Sequence, residues 1–132
     1  MKQRNIHGLW TMRFENRILY SALTGPTNKE ASEAWLKDLK SHVMTSKEGD
    51  VKPWVILFDL RSWSMTSLDA WEANDKNMEW LSEHSCIFLA FLFSKEIQHF
   101  AIKKHLKDQS FVHFFFNYDE AQRACLNKLA ED

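Results

Sequence analysis

Glycine, proline and cysteine are scarce in this chain: three, two and two among 132 residues. The glycines, Gly8, Gly25 and Gly49, stand far apart, so neither a glycine-rich phosphate loop nor a G-x-G-x-x-G turn is present. Nucleotide binding of those two kinds is excluded. Cys86 and Cys125 lie 39 positions apart with no C-x-x-C, and read as buried free thiols in a reducing compartment. Long hydrophobic runs are missing too. The longest apolar stretch, residues 86–93, has eight residues against the ~20 that a membrane-crossing helix needs. Met1-Lys2-Gln3-Arg4-Asn5 leads into no apolar segment of signal-peptide type. The expectation is a cytoplasmic protein with no transmembrane segment.

Charge of one sign is equally lacking. The net charge is −1 and the pI about 6.6, so no global field favours nucleic acid, and no nucleic-acid partner is expected. The six histidines, His7, His42, His84, His99, His105 and His113, form no H-x-H or H-E-x-x-H, and no metal site is expected. There is no G-x-S-x-G elbow, and neither cysteine has a basic neighbourhood that would make it a thiolate. The chain therefore reads as a non-enzyme without a cofactor. An enzyme would need polar groups converging at strand ends, with Asp59, Arg61 and Ser94 as first suspects.

What the chain does have is bulk. Six tryptophans and ten phenylalanines imply a core built in large layers, and the few glycines and prolines imply regular elements joined by short loops. The length fits one domain over residues 1–132. His7–Phe14 and Arg17–Leu23 read as a hairpin broken at Glu15-Asn16, and Thr24-Gly25-Pro26-Thr27-Asn28 as a dense turn. Ala31, Ala34, Trp35, Leu39 and Val43 then recur on one helical face, ending at Lys47-Glu48-Gly49-Asp50. The apolar run Trp54-Val55-Ile56-Leu57-Phe58 has no alternation, as in a strand covered on both faces.

Ser62–Ser67 is expected as a loop, and Thr66 with Asp69 as a capping box opening a second helix with Leu68, Trp71, Met78 and Leu81 inward. Ile87–Phe93 reads as the next strand, Ser94 as the cap of a helix over Lys95–Leu106 with Ile97, Phe100 and Ala101 inward. Phe111–Phe116 is the last strand, followed by an Asp119/Gln122 capping box and a helix with Ala121, Cys125 and Leu129 on one face. The order ββαβαβαβα implies an α/β fold. Its four- to five-stranded, mainly parallel sheet carries an N-terminal hairpin and four helices.

In three places the sequence resembles the STAS superfamily, in its SpoIIAA-like branch (the fold of anti-sigma-factor antagonists). They are Leu23-Thr24-Gly25 before the first helix, Val55-Ile56-Leu57-Phe58-Asp59-Leu60-Arg61, and the segment Ser62–Ser67 leading into a helix. The resemblance implies a SpoIIAA-like fold and a regulatory, non-enzymatic module that meets a protein partner. It places the family's phosphoacceptor serine on Ser67, with Thr66 where the family has aspartate.

Several residues stand out as site candidates, each with a plainer reading. Ser67 at a helix N-terminus would hold a phosphate near free N–H groups, or merely cap the helix. Asp59, Arg61, Ser94 and Asn117 lie at strand carboxyl ends, the rim where an α/β sheet takes ligands, or serve as caps. Lys95, His99, Lys103 and Lys107, with Lys104 beside them, make a basic helix stripe that would meet an acidic partner or simply face water. Trp63, Met65, Trp71 and Trp80 cluster around the second helix and its entry, either as an exposed contact surface or as core. The leading expectation is a protein partner, or a second copy in a dimer, meeting residues 62–67 and the second helix through Trp63, Met65, Ser67, Trp71 and Trp80. The alternative is a carrier of a small apolar or lipid-like molecule, which would need a cavity of roughly 300 Å³.

Overall fold

A computed structural model describes residues 8–45, 52–108 and 110–131. In chain order the elements are β1 (Leu9–Glu15), β2 (Ile18–Thr27), α1 (Lys29–Met44), β3 (Trp54–Thr66), α2 (Leu68–Glu83), β4 (Cys86–Leu92), α3 (Glu96–His105), β5 (Val112–Phe115) and α4 (Tyr118–Ala130). The strands form one five-stranded sheet in the order β1-β2-β3-β4-β5. β1 pairs antiparallel with β2, and the other three pairings are parallel. The α/β fold inferred from the sequence is the one observed. His7 and the segment Lys47-Glu48-Gly49-Asp50, read as a strand start and a helix end, lie outside the described residues.

The topology follows from handedness. Strands added always on the same side by right-handed crossovers put every crossover helix on one face. α1, α2 and α3 accordingly share a face, where Leu39, Trp71, Leu81 and Ile102 pack on Leu19, Ile56 and Phe91. α4 follows the last strand and covers the other face, where Ala121, Cys125 and Leu129 meet Ile18, Val55 and Leu57. Residues alternate across a strand, so Trp54 and Ile56 serve the first layer and Val55 and Leu57 the second. All four are buried, which is why the run shows no alternation.

The hairpin turn is Asn16-Arg17, one residue later than the sequence signal, with φ of 52° and 63°. Two positive φ values give the turn twist that joins antiparallel strands in two residues. Arg17 holds this unusual conformation because its guanidinium donates to the Pro53 carbonyl (3.0 Å) and its own carbonyl accepts from Val55 N–H (3.0 Å). The turn expected at residues 24–28 is instead the end of β2. Gly25, at φ +81°, absorbs an irregularity in the register, and the strand stays paired with β3 as far as Thr27 and Thr66. Asn28 then caps α1 by accepting from Ala31 N–H at 3.0 Å.

Other expectations are corrected in the same way. The segment expected as a loop after Arg61 is strand up to Thr66, because β2 runs alongside it. Thr66 is consequently a strand residue bonded to Thr27 across the ladder (2.9 Å), and Ser67 is the N-cap. The cap of α3 is Lys95, not Ser94, whose hydroxyl donates to the Arg61 carbonyl at 2.9 Å. The cap of α4 is Asn117, which accepts from Glu120 N–H at 3.0 Å, not Asp119. Leu68 points outward from α2, and Ile97 and Phe100 point outward from α3. Gln98 and Ile102 hold the inner face of α3 instead.

Candidate functional site

The last pairing between β3 and β4 is Asp59 with Leu92. Beyond it, β3 runs on for seven residues with a strand neighbour on the β2 side only. Unpaired carbonyls on such an edge must find other donors. They find Gln98: its buried amide nitrogen contacts the carbonyls of Leu60 (3.0 Å), Arg61 (3.2 Å) and Trp63 (2.8 Å). Its carbonyl oxygen accepts from the N–H groups of Ser94 (2.9 Å) and Lys95 (3.0 Å) at the start of α3. One side chain thus stands in for a missing strand and fixes the entry of a helix. No sequence signal announced it, since a glutamine within a helix ordinarily reads as solvent-facing.

On this projecting end the candidate contact residues divide. Trp63 and Trp71 are turned inward, 4% and 6% exposed, and meet edge to face at 6.3 Å. Trp63 donates to the Thr66 hydroxyl at 3.0 Å, and Trp71 stacks on His105 at 5.0 Å. They are props under the surface rather than its face. Met65 and Leu68, 64% and 81% exposed, form the apolar outside together with exposed Ser67 between them. Leu68 is the residue sequence reasoning had turned inward. Ser67 donates to the Asp69 carboxylate at 2.6 Å, and its side chain makes no bond to the helix N–H groups. Trp80 is not part of this group. It sits 13 helical residues from Ser67, about 20 Å at 1.5 Å per residue, half-buried against His84 (4.1 Å) with the Lys40 ammonium over its ring.

Of the four rim residues, Asp59, Arg61 and Ser94 come together, and Asn117 caps α4. Arg61 makes a two-pronged ion pair with Asp59, at 2.8 and 3.0 Å, while the Ser94 hydroxyl holds the Arg61 carbonyl. The Arg61 guanidinium lies 5.8 Å from the ring centre of Tyr118, the residue after Asn117. Burial pushes the Asp59 carboxyl up, but the hydrogen bonds and charge of Arg61 outweigh it and hold the group below its ordinary value. Next to this pair, on the α4 side, Arg13, Tyr20, Ala22, Asp59 and Tyr118 border an open groove of about 200 Å³.

A second space lies under the three-helix face, walled by Trp35, Phe58, Trp63, Trp71 and Phe91. It measures about 80 Å³, room for roughly five waters at ~15 Å³ each. Burial drives both thiols up to about 12, so Cys86 and Cys125 are inert packing groups. Among the described residues no three His, Cys, Asp or Glu side chains gather as metal ligands, and no helix is long and apolar enough to cross a membrane.

No family model and no curated protein matches the sequence. Solved structures do. An anti-sigma factor antagonist from Mycobacterium paratuberculosis is similar over 91% of this chain and 95% of its own, with a TM-score of 0.58 at 11% identity. The anti-sigma factor antagonist SpoIIAA in its unphosphorylated form matches over 91% and 98%, with a TM-score of 0.59 at 9% identity. A protein with a SpoIIAA-like fold from Shewanella loihica PV-4 matches over 93% and 95%, with a TM-score of 0.58 at 18% identity. The chain has a SpoIIAA-like fold, as the resemblance in its sequence implies.

Proposed function

We propose that this chain is a regulatory, non-enzymatic module that binds a protein partner through the projecting end of β3 and the first turns of α2. The observation that carries the reading is the pair Met65 and Leu68, large apolar side chains held in water on a rigid base of buried tryptophans. Exposed apolar groups on an ordered support are what a partner can bury at little cost in conformational entropy. That two similar structures are anti-sigma factor antagonists supports a regulatory role. The two reduced, buried thiols fit work in the cytoplasm. Ser67 stands between the two apolar residues. A phosphate there would add about −1.5 to −2 charges and face the Asp69 carboxylate, so modification would weaken docking.

Affinity isolation from the protein's own host, followed by native mass spectrometry, tests this. A protein enriched with the wild type and lost with Leu68→Asp and Ser67→Asp, but retained with Trp80→Ala, is the expected result. Equal recovery with all four forms would place docking elsewhere.

A second reading, the small-molecule carrier, is favoured by the aromatic-walled cavity alone. At about 80 Å³ the space suits a single small ring and not a lipid chain. A thermal shift with indole or benzene, absent with a long-chain fatty acid, is its expected signature; no shift with any of them removes it.

A further inference from the structure

α2 and α3 both return from carboxyl ends of parallel strands on one face of the sheet, so they lie side by side and run in the same direction. Trp71 of α2 stacks on His105 of α3, and Asp75 accepts from the N–H of Lys107, just past the end of α3, at 3.1 Å. Their outward faces carry opposite charge. α2 exposes Asp69, Glu72, Glu79 and Glu83 against one Lys76, whereas α3 and the residues just after it expose Lys103, Lys104 and Lys107 against Glu96 and Asp108. Each face also begins with an exposed apolar group, Leu68 on α2 and, on α3, Ile97 and Phe100 at 70% and 64% exposure.

The spacing repeats as well. Leu68 and Glu72 stand at i and i+4 on α2, and so do Phe100 and Lys104 on α3. The Trp71–His105 stack and the Asp75–Lys107 bond set these turns of the two helices beside each other, so Leu68 and Phe100 stand at heights within roughly one helical turn, about 5 Å, as do Glu72 and Lys104. We propose that this face pairs with the same face of a second copy, about a two-fold axis parallel to α2 and α3. That axis sets the partner's α2 over α3 and its α3 over α2 while keeping every height. Leu68 then meets Phe100, and Glu72 meets Lys104, twice in each dimer. An axis across the helices would lay α2 on α2 and set acid against acid. Charge therefore selects the first arrangement and disfavours the second.

The inference rests on the interaction-module reading and names the partner as the chain itself. Sedimentation of the full chain at about 100 μM, where a weak interface is populated, gives the test. The wild type is expected as a dimer that dissociates as salt rises toward 1 M, where the Debye length is about 3 Å. Glu72→Lys and Lys104→Glu, both at exposed positions, should each weaken the dimer by roughly tenfold or more. Mixed one to one, the two variants should associate again, because the mixed dimer restores opposite charges at both symmetric contacts. A folded wild-type monomer, or a mixture that stays monomeric, overturns the self-pairing. If that monomer still captures a different protein that Leu68→Asp abolishes, the interaction-module reading survives; if it captures none, both fall.

Discussion

β3 is one strand with two unlike halves. Residues 54–57 are buried on both faces, flanked by β2 and β4 and sandwiched between helices. Residues 60–66 have β2 on one side and a glutamine side chain on the other, with buried Leu60 and Trp63 separated by two exposed residues. The first half is held by burial on both faces and by strand ladders on both edges. The second is held by the β2 ladder on one edge and by Gln98 on the other, and it leaves Met65 in water. A strand that outruns its sheet thus turns a core element into a surface one within a few residues.

The largest expected effect comes from the inner half. Ile56→Ala removes a fully buried side chain between two layers and should cost about 3–4 kcal/mol in denaturant unfolding. Gln98→Leu should come next. It leaves the carbonyls of the outer half without donors, at about 1–3 kcal/mol, and should speed amide exchange beyond residue 60 more than within 54–57.

Asp59→Asn, at the junction of the halves, should cost less than about 1 kcal/mol at neutral pH, since Arg61 is partly solvated. Its sign with pH is fixed. The Asp59 carboxyl is held below its ordinary value in the folded state, so its contribution is present above the unfolded pKa and lost as pH falls through the folded one. The stability difference between wild type and Asp59→Asn should therefore shrink in acid and vanish below the carboxylate range. Leu68→Asp should be the smallest, within about 0.5 kcal/mol in stability, while abolishing partner binding. A large loss of stability there would mean that Leu68 is packed rather than displayed.

The inner half was legible because an unbroken apolar run has one physical explanation in an α/β chain. The outer half was not. Ser62, Ser64, Thr66 and Ser67 carry the composition of a loop, and only the continued β2 ladder and Gln98 make the segment a strand. The helix faces divide in the same way. On α4 the apolar residues step by four and are buried as expected, whereas on α3 Ala101 stays packed on the core but Ile97 and Phe100 give up the inner face to Gln98 and Ile102. A polar side chain with enough buried partners outcompetes an apolar one for an inward position, and sequence periodicity does not register the partners. Of the candidate site, Met65 and Ser67 stay neighbours because they are neighbours in sequence. Trp80 drops out because a helix carries it about 20 Å away.

The central claim is that the outer half of β3 and the first turn of α2 form the docking surface. Hydrogen exchange read by mass spectrometry, on the free protein and on the species isolated with its partner, tests it most directly. The account predicts slow, unchanged exchange at residues 54–57 in both states, and faster exchange at 62–69 that slows on association. Unchanged exchange at 62–69, with protection gained on another surface, would contradict it.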